Sequence, residues 1–376
     1  MNEKEVGELR RRFRQDRTGI SHVRGCYVNE AGEIISQFNQ SLGVMTQEEN
    51  EKILGLLKKT LSGGLGRNLM DIEFETRQVV DGPEHKLLMT LRDSELSDEQ
   101  AVETFFQTVI ASVALEGNYM ILLAHDAYDV PYRGKDDRQL ENASEEVFSY
   151  IICAVCPVKQ TKPALSYYVQ ESQFHNLSPD WVVSPPQVGF LFPAFDQRST
   201  NLYGALYYTK STQDVQEALV DAVFRTPPPM PAARQQESFQ ALLGDSLGEA
   251  CSLSVAEGVR EQLCGMIEEH KESRDPEPLT IQSGTMKQVL STCGVEEERI
   301  QAFTSRYEET FGPDAQLSPR NLVDTRQIQL ATPDVAVKIS PDRSDLVQTR
   351  IIDGVKYIMI RVEGEFTVNG VEVNIQ

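Results

Sequence analysis

The run His125-Asp126-Ala127-Tyr128-Asp129 breaks an apolar stretch with an imidazole and two carboxylates, groups that can bind a divalent metal or move a proton. Side chains alternate along a strand, so His125 and Asp129 share one face while Asp126 points to the other. The competing reading is capping and turn formation ahead of Pro131, with Tyr128 in the core. Cys153-Ala154-Val155-Cys156 has the spacing of a zinc half-site or a redox dithiol. A closed zinc site needs two further ligands, and the sequence holds no second pair at this spacing. IICAVC also reads as a strand, which puts the two thiols on opposite faces and favours buried free cysteines.

A third group lies between Trp181 and Tyr208, where Phe190, Phe192 and Phe195 accompany Asp196, Arg198 and Asn201. Fixed aromatics beside a few polar groups suit a recognition cleft, and an arginine there can pair with a carboxylate or phosphate. In the alternative reading the phenylalanines anchor a packed loop, and Asp196 and Arg198 stabilise its turn. His22, His85, His175 and His270 are isolated from one another. SGGLGRN at 62–68 matches neither phosphate-binding fingerprint and follows a helix, so helix termination explains its glycines. Arg10, Arg11, Arg12, Arg14 and Arg17 form a basic cluster that can touch an acidic partner or pair with carboxylates elsewhere in the chain.

The elements that must position these residues follow from periodicity. Residues 119–130 and 147–158 read as central buried strands, separated by the charged segment 133–146. Val6, Leu9 and Phe13 mark an amphipathic helix over 3–16, and 21–39 reads as a hairpin turning at 29–32. Thr46 and Glu49 form a capping box for a helix ending at the glycines 63, 64 and 66. Residues 70–80 and 85–93 read as a second hairpin about Asp81-Gly82-Pro83. Val102, Phe105, Phe106, Val109 and Val113 draw a helical stripe that Gly117 ends. The prolines and aromatics of 178–201 suggest a packed irregular loop, followed by a strand at 203–209 and a helix from Thr212 to about Phe224.

This order is α+β: a mixed or antiparallel sheet with packed helices over 1–226, a mainly helical region over 234–320, and a small antiparallel β region over 321–376. The first break falls at TPPPMPAA, whose prolines cannot donate backbone hydrogen bonds. Asp353-Gly354 and Asn369-Gly370 mark hairpin turns in the last region. At 376 residues the chain exceeds a single core of about 250–300 residues. Its 57 acids against 36 bases give a net charge of −21, which disfavours a general nucleic-acid binder. No apolar run approaches the roughly 20 residues of a membrane span, and the charged start lacks the core of an export signal. Six cysteines are too few for a disulfide scaffold, so a reducing, cytoplasmic setting is expected.

GCYV at 25–28, HDAYDVP at 125–131, CPVKQTKPALSYY at 156–168 and GFLFPAFDQRSTNLYGALYY at 189–208 resemble an uncharacterised family of clostridia and related Firmicutes, over most of the length. The resemblance implies a bacterial cytoplasmic protein and carries no catalytic residue, cofactor or partner. The expectation is therefore an interaction or regulatory protein binding a protein partner through Trp181, Phe190, Phe192, Phe195, Arg198 and Asn201. The rival is a hydrolase or transferase using His125, Asp129, Asp196 and Arg198, with metal binding considered at His125, Asp129, Cys153 and Cys156. No other cofactor is expected, and the sequence leaves the oligomeric state open.

Overall fold

The computed structural model describes residues 1–133, 139–364, 366–368 and 371–373. The chain divides into two compact units, one of residues 1–234 with 275–278 and the other of 235–274 with 279–376.

In the first unit the elements run α1 (Glu3–Arg10), β1 (His22–Val28), β2 (Ile34–Ser41), α2 (Gln47–Lys59), β3 (Leu69–Glu73), α3 (Thr76–Asp81), α4 (Pro83–Asp93), α5 (Glu99–Ser112), β4 (Tyr119–Arg133) and β5 (Gln139–Gln160). They continue with β6 (Ala164–Tyr168), β7 (Gln173–Leu177), β8 (Trp181–Val183), β9 (Val188–Phe192), β10 (Ala194–Asp196), β11 (Ser199–Asn201), β12 (Gly204–Thr209) and α6 (Glu217–Phe224). The main sheet has the order β2-β1-β4-β5-β9-β12-β3, with β8 added on β5, and its ladders are antiparallel. Both faces are covered. Leu88 and Leu91 of α4, Phe105 and Phe106 of α5 and Phe224 of α6 pack on one face with Ile121, Ile151 and Phe190. Leu9 of α1 and Leu57 of α2 pack on the other with Leu122, Ile152 and Leu191. Burial on both faces is why β4, β5 and β9 read as near-continuous apolar runs. Gly189 admits α2 to the centre of the sheet: a Cβ there would lie 2.3 Å from the Cys153 carbonyl and 2.6 Å from the Thr60 methyl.

Several sequence expectations need correction. Residues 85–93 belong to α4 and form no second hairpin with 70–80. Pro83 starts the helix, and His85, Leu88 and Leu91 bury one helical stripe, a spacing of three that outweighs the short apolar run. The stretch 178–201 is not one irregular loop but carries β8, β9, β10 and β11; VGFLF of β9 is buried on both sides and so loses the alternation that marks a strand. The first helix stops at Arg10 rather than 16, and α6 starts at Glu217 rather than near Thr212. Of the charged segment 133–146, residues from 139 onward belong to β5, and 134–138 lie outside the described residues.

The second unit carries most of α7 (Ala232–Leu247), then α8 (Leu253–Ser273), α9 (Ser283–Thr292), α10 (Glu297–Phe311) and α11 (Pro319–Leu322). Phe239, Leu263, Leu290, Phe303 and Leu322 meet in its core. Three separate hairpins follow: β13 (Ile328–Ala331) with β14 (Ala336–Ile339), β15 (Val347–Ile352) with β16 (Val355–Ile360), and β17 (Thr367–Val368) with β18 (Val371–Glu372). Asp353 and Gly354 turn the second with φ of 51° and 79°, the left-handed pair expected of Asp-Gly. Asn369-Gly370 lies outside the described residues.

Candidate functional site

A dense polar cluster of the first unit lies between α1, β4, β5 and the β10–β11 turn. Asn2 caps α1 by accepting from the Glu5 N–H at 3.1 Å, and Glu5 accepts from the Asn2 N–H at 2.8 Å. The other oxygen of Glu5 accepts from the Arg198 N–H at 3.2 Å, so the capping box also fastens α1 to that turn. One helical turn on, Glu8 accepts from the Tyr128 hydroxyl at 2.6 Å and from the Arg198 guanidinium at 3.0 and 3.3 Å. Arg198 also donates to the Pro131 carbonyl at 3.0 Å. Gln197 and Arg198 both adopt left-handed backbone, with φ of 50° and 60°. That geometry costs about 1–2 kcal/mol per residue, and the bonds from Arg198 offset it.

Arg12 reaches Asp126 at 3.1 and 3.3 Å and stacks its guanidinium 4.6 Å from the Tyr128 ring centre. Asp126 is fully buried and also accepts from the Gly19 N–H at 2.9 Å and the Tyr150 hydroxyl at 2.8 Å. The β4–β5 register sets this up by placing Asp126 opposite Tyr150 and Tyr128 opposite Phe148. Glycine at 19 leaves room for the carboxylate, since a Cβ would lie 2.5 Å from its oxygen.

Burial and the bond to Glu8 push the Tyr128 pKa up to about 12, and burial and the Asp126 charge push Tyr150 well above its ordinary value. Both phenols therefore keep their protons at neutral pH. Burial works to lower the Arg198 pKa, but the Glu8 carboxylate overrides it and leaves it raised. Burial likewise raises the Glu5 carboxyl, partly countered by the Asn2 and Arg198 N–H groups. Charges that are paired and phenols that stay protonated make this cluster an ionic clamp holding α1 and the following turn on the sheet.

The predicted site residues fall in different places. Arg198 joins the clamp, and Asp196 is half-buried opposite Ser199 in the β10–β11 ladder. His125 lies on the other face, where Ser149 is bonded at 2.8 Å and Arg92, Asp93 and Glu95 supply the local field. Asp129 is exposed. These four side chains thus do not line one cleft. Phe190, Phe192 and Phe195 are core residues, at most 3% exposed, and offer no surface to a ligand. Asn201 accepts from the Tyr203 N–H at 3.0 Å, whereas Trp181 stands 50% exposed with its ring centre 6.4 Å from that of Tyr27. Cys153 and Cys156 face opposite cores, and burial raises both thiols, Cys156 to about 12. Among the described residues no group of three or more His, Cys, Asp and Glu has the arrangement to hold a metal. Part of the basic cluster is engaged within the chain: Arg10 bonds the Leu61 and Gly63 carbonyls, Arg12 bonds Asp126, and Arg14 and Arg17 pair at the surface with Asp16, while Arg11 is exposed.

Glu8 and Tyr150 are not singled out by the sequence, which places Asp126 only on the face away from His125 and Arg12 only within the basic cluster. The signal for the clamp is the alternation of Asp126 with Tyr128 on that face. Two cavities open elsewhere on the unit. One of about 670 Å³ is bordered by Phe13, Arg14, Glu51 and Lys58, and one of about 390 Å³ by Leu87, Phe105, Thr108 and Val223. Neither is lined by a predicted site residue.

Burial lowers the His125 pKa below its ordinary value of about 6.5, so folding favours the neutral ring. The resulting stability is complete above about pH 6.5 and is lost as pH falls from there through the folded pKa. Melting temperature is expected to fall more steeply below pH 6.5 in the wild type than in His125→Gln; identical profiles would refute this.

No helix among the described residues is long and apolar enough to cross a membrane. Neither the curated proteins nor the solved structures contain a match to this chain. A family match does extend across residues 1–371, through both compact units and the whole clamp, and on that match the chain belongs to the family described as a domain of unknown function, DUF4317.

Proposed function

We propose that this chain is a cytoplasmic bacterial interaction protein that binds a protein partner through the ribbon formed by residues 158–183. The observation that carries this reading is the exposed apolar side chains of that ribbon: Leu165 at 69%, Tyr167 at 50% and Phe174 at 67% exposure on one face, Trp181 at 50% on the other, and Val169 at 78% beyond the end of β6. Surfaces of this kind mark contact sites, and aromatic residues dominate their energetics. Tyr167 and Phe174 already pack against each other across the ladder, with ring centres 5.0 Å apart and planes tilted by 55°, which lowers the ordering cost of binding. Support over a hydrolase or transferase comes from the placement of His125 and Arg198 on opposite faces of the sheet. Six unpaired cysteines fit the reducing cytoplasm.

Tyr167→Ser combined with Phe174→Ser is expected to weaken partner binding by about 30-fold or more, as loss of a hot spot of about 2 kcal/mol implies, with folding stability changed by about 0.5 kcal/mol or less. Affinity isolation followed by titration of the recovered partner against purified wild type and variant checks this. Equal affinities would reject the ribbon as the site.

A further inference from the structure

We propose that the occupant of the 158–183 ribbon is a second copy of this chain, so that the ribbon is a dimerisation arm. This rests on the reading of the ribbon as a binding surface and names its partner. Val158↔Val183 to Gln160↔Trp181 and Ala164↔Leu177 to Tyr168↔Gln173 follow one continuous register. Thr161 and Asp180 bridge the two stretches with bonds of 2.8 Å. The arm therefore extends β5 and β8 past the end of the main sheet, since β4 stops pairing with β5 at Pro157. At about 3.3 Å per residue its legs reach roughly 35 Å.

An isolated two-stranded ribbon is marginal in water, and three or more strands or a packed face are needed for independent stability. Here apolar groups occupy both faces, with Leu165, Tyr167 and Phe174 on one and Tyr168 and Trp181 on the other. Among the described residues β6 and β7 pair only with each other, leaving an open edge on each leg. A two-fold axis sets one such antiparallel edge against its own copy, a pairing that needs no second complementary sequence.

Charge favours a copy over a strongly basic partner. The chain carries −21, so two copies repel over most of their surface. The arm is the exception: residues 158–183 hold Lys159 and Lys162 against Glu171 and Asp180, a net charge of zero. Two identical acidic molecules can meet there without bringing like charges together, whereas a basic partner would be drawn to the acidic remainder of the surface.

Sedimentation velocity of the full chain from 1 to about 100 µM at physiological salt tests the proposal. The wild type is expected at twice the 42.2 kDa monomer mass. Tyr167→Glu with Phe174→Glu is expected to raise the dimer dissociation constant at least 100-fold, whereas Val44→Glu, 82% exposed and off the arm, leaves it unchanged. Hydrogen exchange of the wild type provides a readout independent of variant folding, with the 164–177 amides slowing as concentration rises. A wild type monomeric at every concentration, or a dimer indifferent to the arm substitutions, would overturn the proposal. If the wild type is monomeric but arm substitutions abolish binding of a different protein, self-association fails and the binding-surface reading survives. If they abolish neither, both fail.

Discussion

Replacing Asp126 with alanine is expected to cost about 3–5 kcal/mol of folding free energy, the range for breaking a buried ion pair by removing one partner. The residue has no exposed surface, and its removal strips a charge partner from Arg12 and acceptors from the Gly19 N–H and the Tyr150 hydroxyl. Each stranded donor adds its own desolvation penalty. Asp126→Asn keeps a neutral acceptor in the same place and should cost less. Pairing Asp126→Ala with Arg12→Met should recover part of the loss, because the buried charge goes with its partner. Urea unfolding of the wild type, Asp126→Ala, Arg12→Met and the double variant, analysed as a double-mutant cycle, reads the coupling directly. A loss below about 1 kcal/mol for Asp126→Ala would show that the clamp contributes little to the fold.

Phe190→Ala should cost a similar amount, about 3–5 kcal/mol, for a different reason. Phe190 sits in the central strand β9 at 3% exposure, edge-on to Phe105 and Phe224 with ring centres at 5.9 and 5.1 Å. Truncation leaves a cavity that the three surrounding helices and the rigid sheet cannot close. Trp181→Ala, at 50% exposure, should change stability by about 0.5 kcal/mol or less. The two aromatics belong to the same sequence cluster, so this contrast separates the packed half of that cluster from the exposed half. Comparable losses from both substitutions in thermal and chemical unfolding would mean that the arm is part of the core after all.

Much of the scaffold is legible without coordinates. The β1–β2 hairpin, α2, α5 and the central β4–β5 pair are recoverable from local periodicity and capping, because each buries a face whose spacing is written in neighbouring residues. The mistaken hairpin at 70–93 and the mistaken loop at 178–201 both come from local patterns that are ambiguous on their own. Short apolar runs do not distinguish helix from strand, and a strand covered on both sides loses its alternation.

The clamp shows the same division at the level of chemistry. The run at 125–129 is conspicuous in the sequence, and strand alternation separates Asp126 from His125 and Asp129. Which face receives an arginine is not a local property. Arg12 lies 114 residues from Asp126, and Arg198 lies 190 from Glu8, so their meeting depends on the β4–β5 register and on α1 docking across it. The sequence by itself determined the fold class, the main central strands and the uneven distribution of charge, since these follow from composition and short-range spacing. Only the tertiary structure decided which aromatics are core and which form an exposed arm, and which carboxylates are clamped, because burial and pairing at such separations are set by chain crossings that no local pattern encodes.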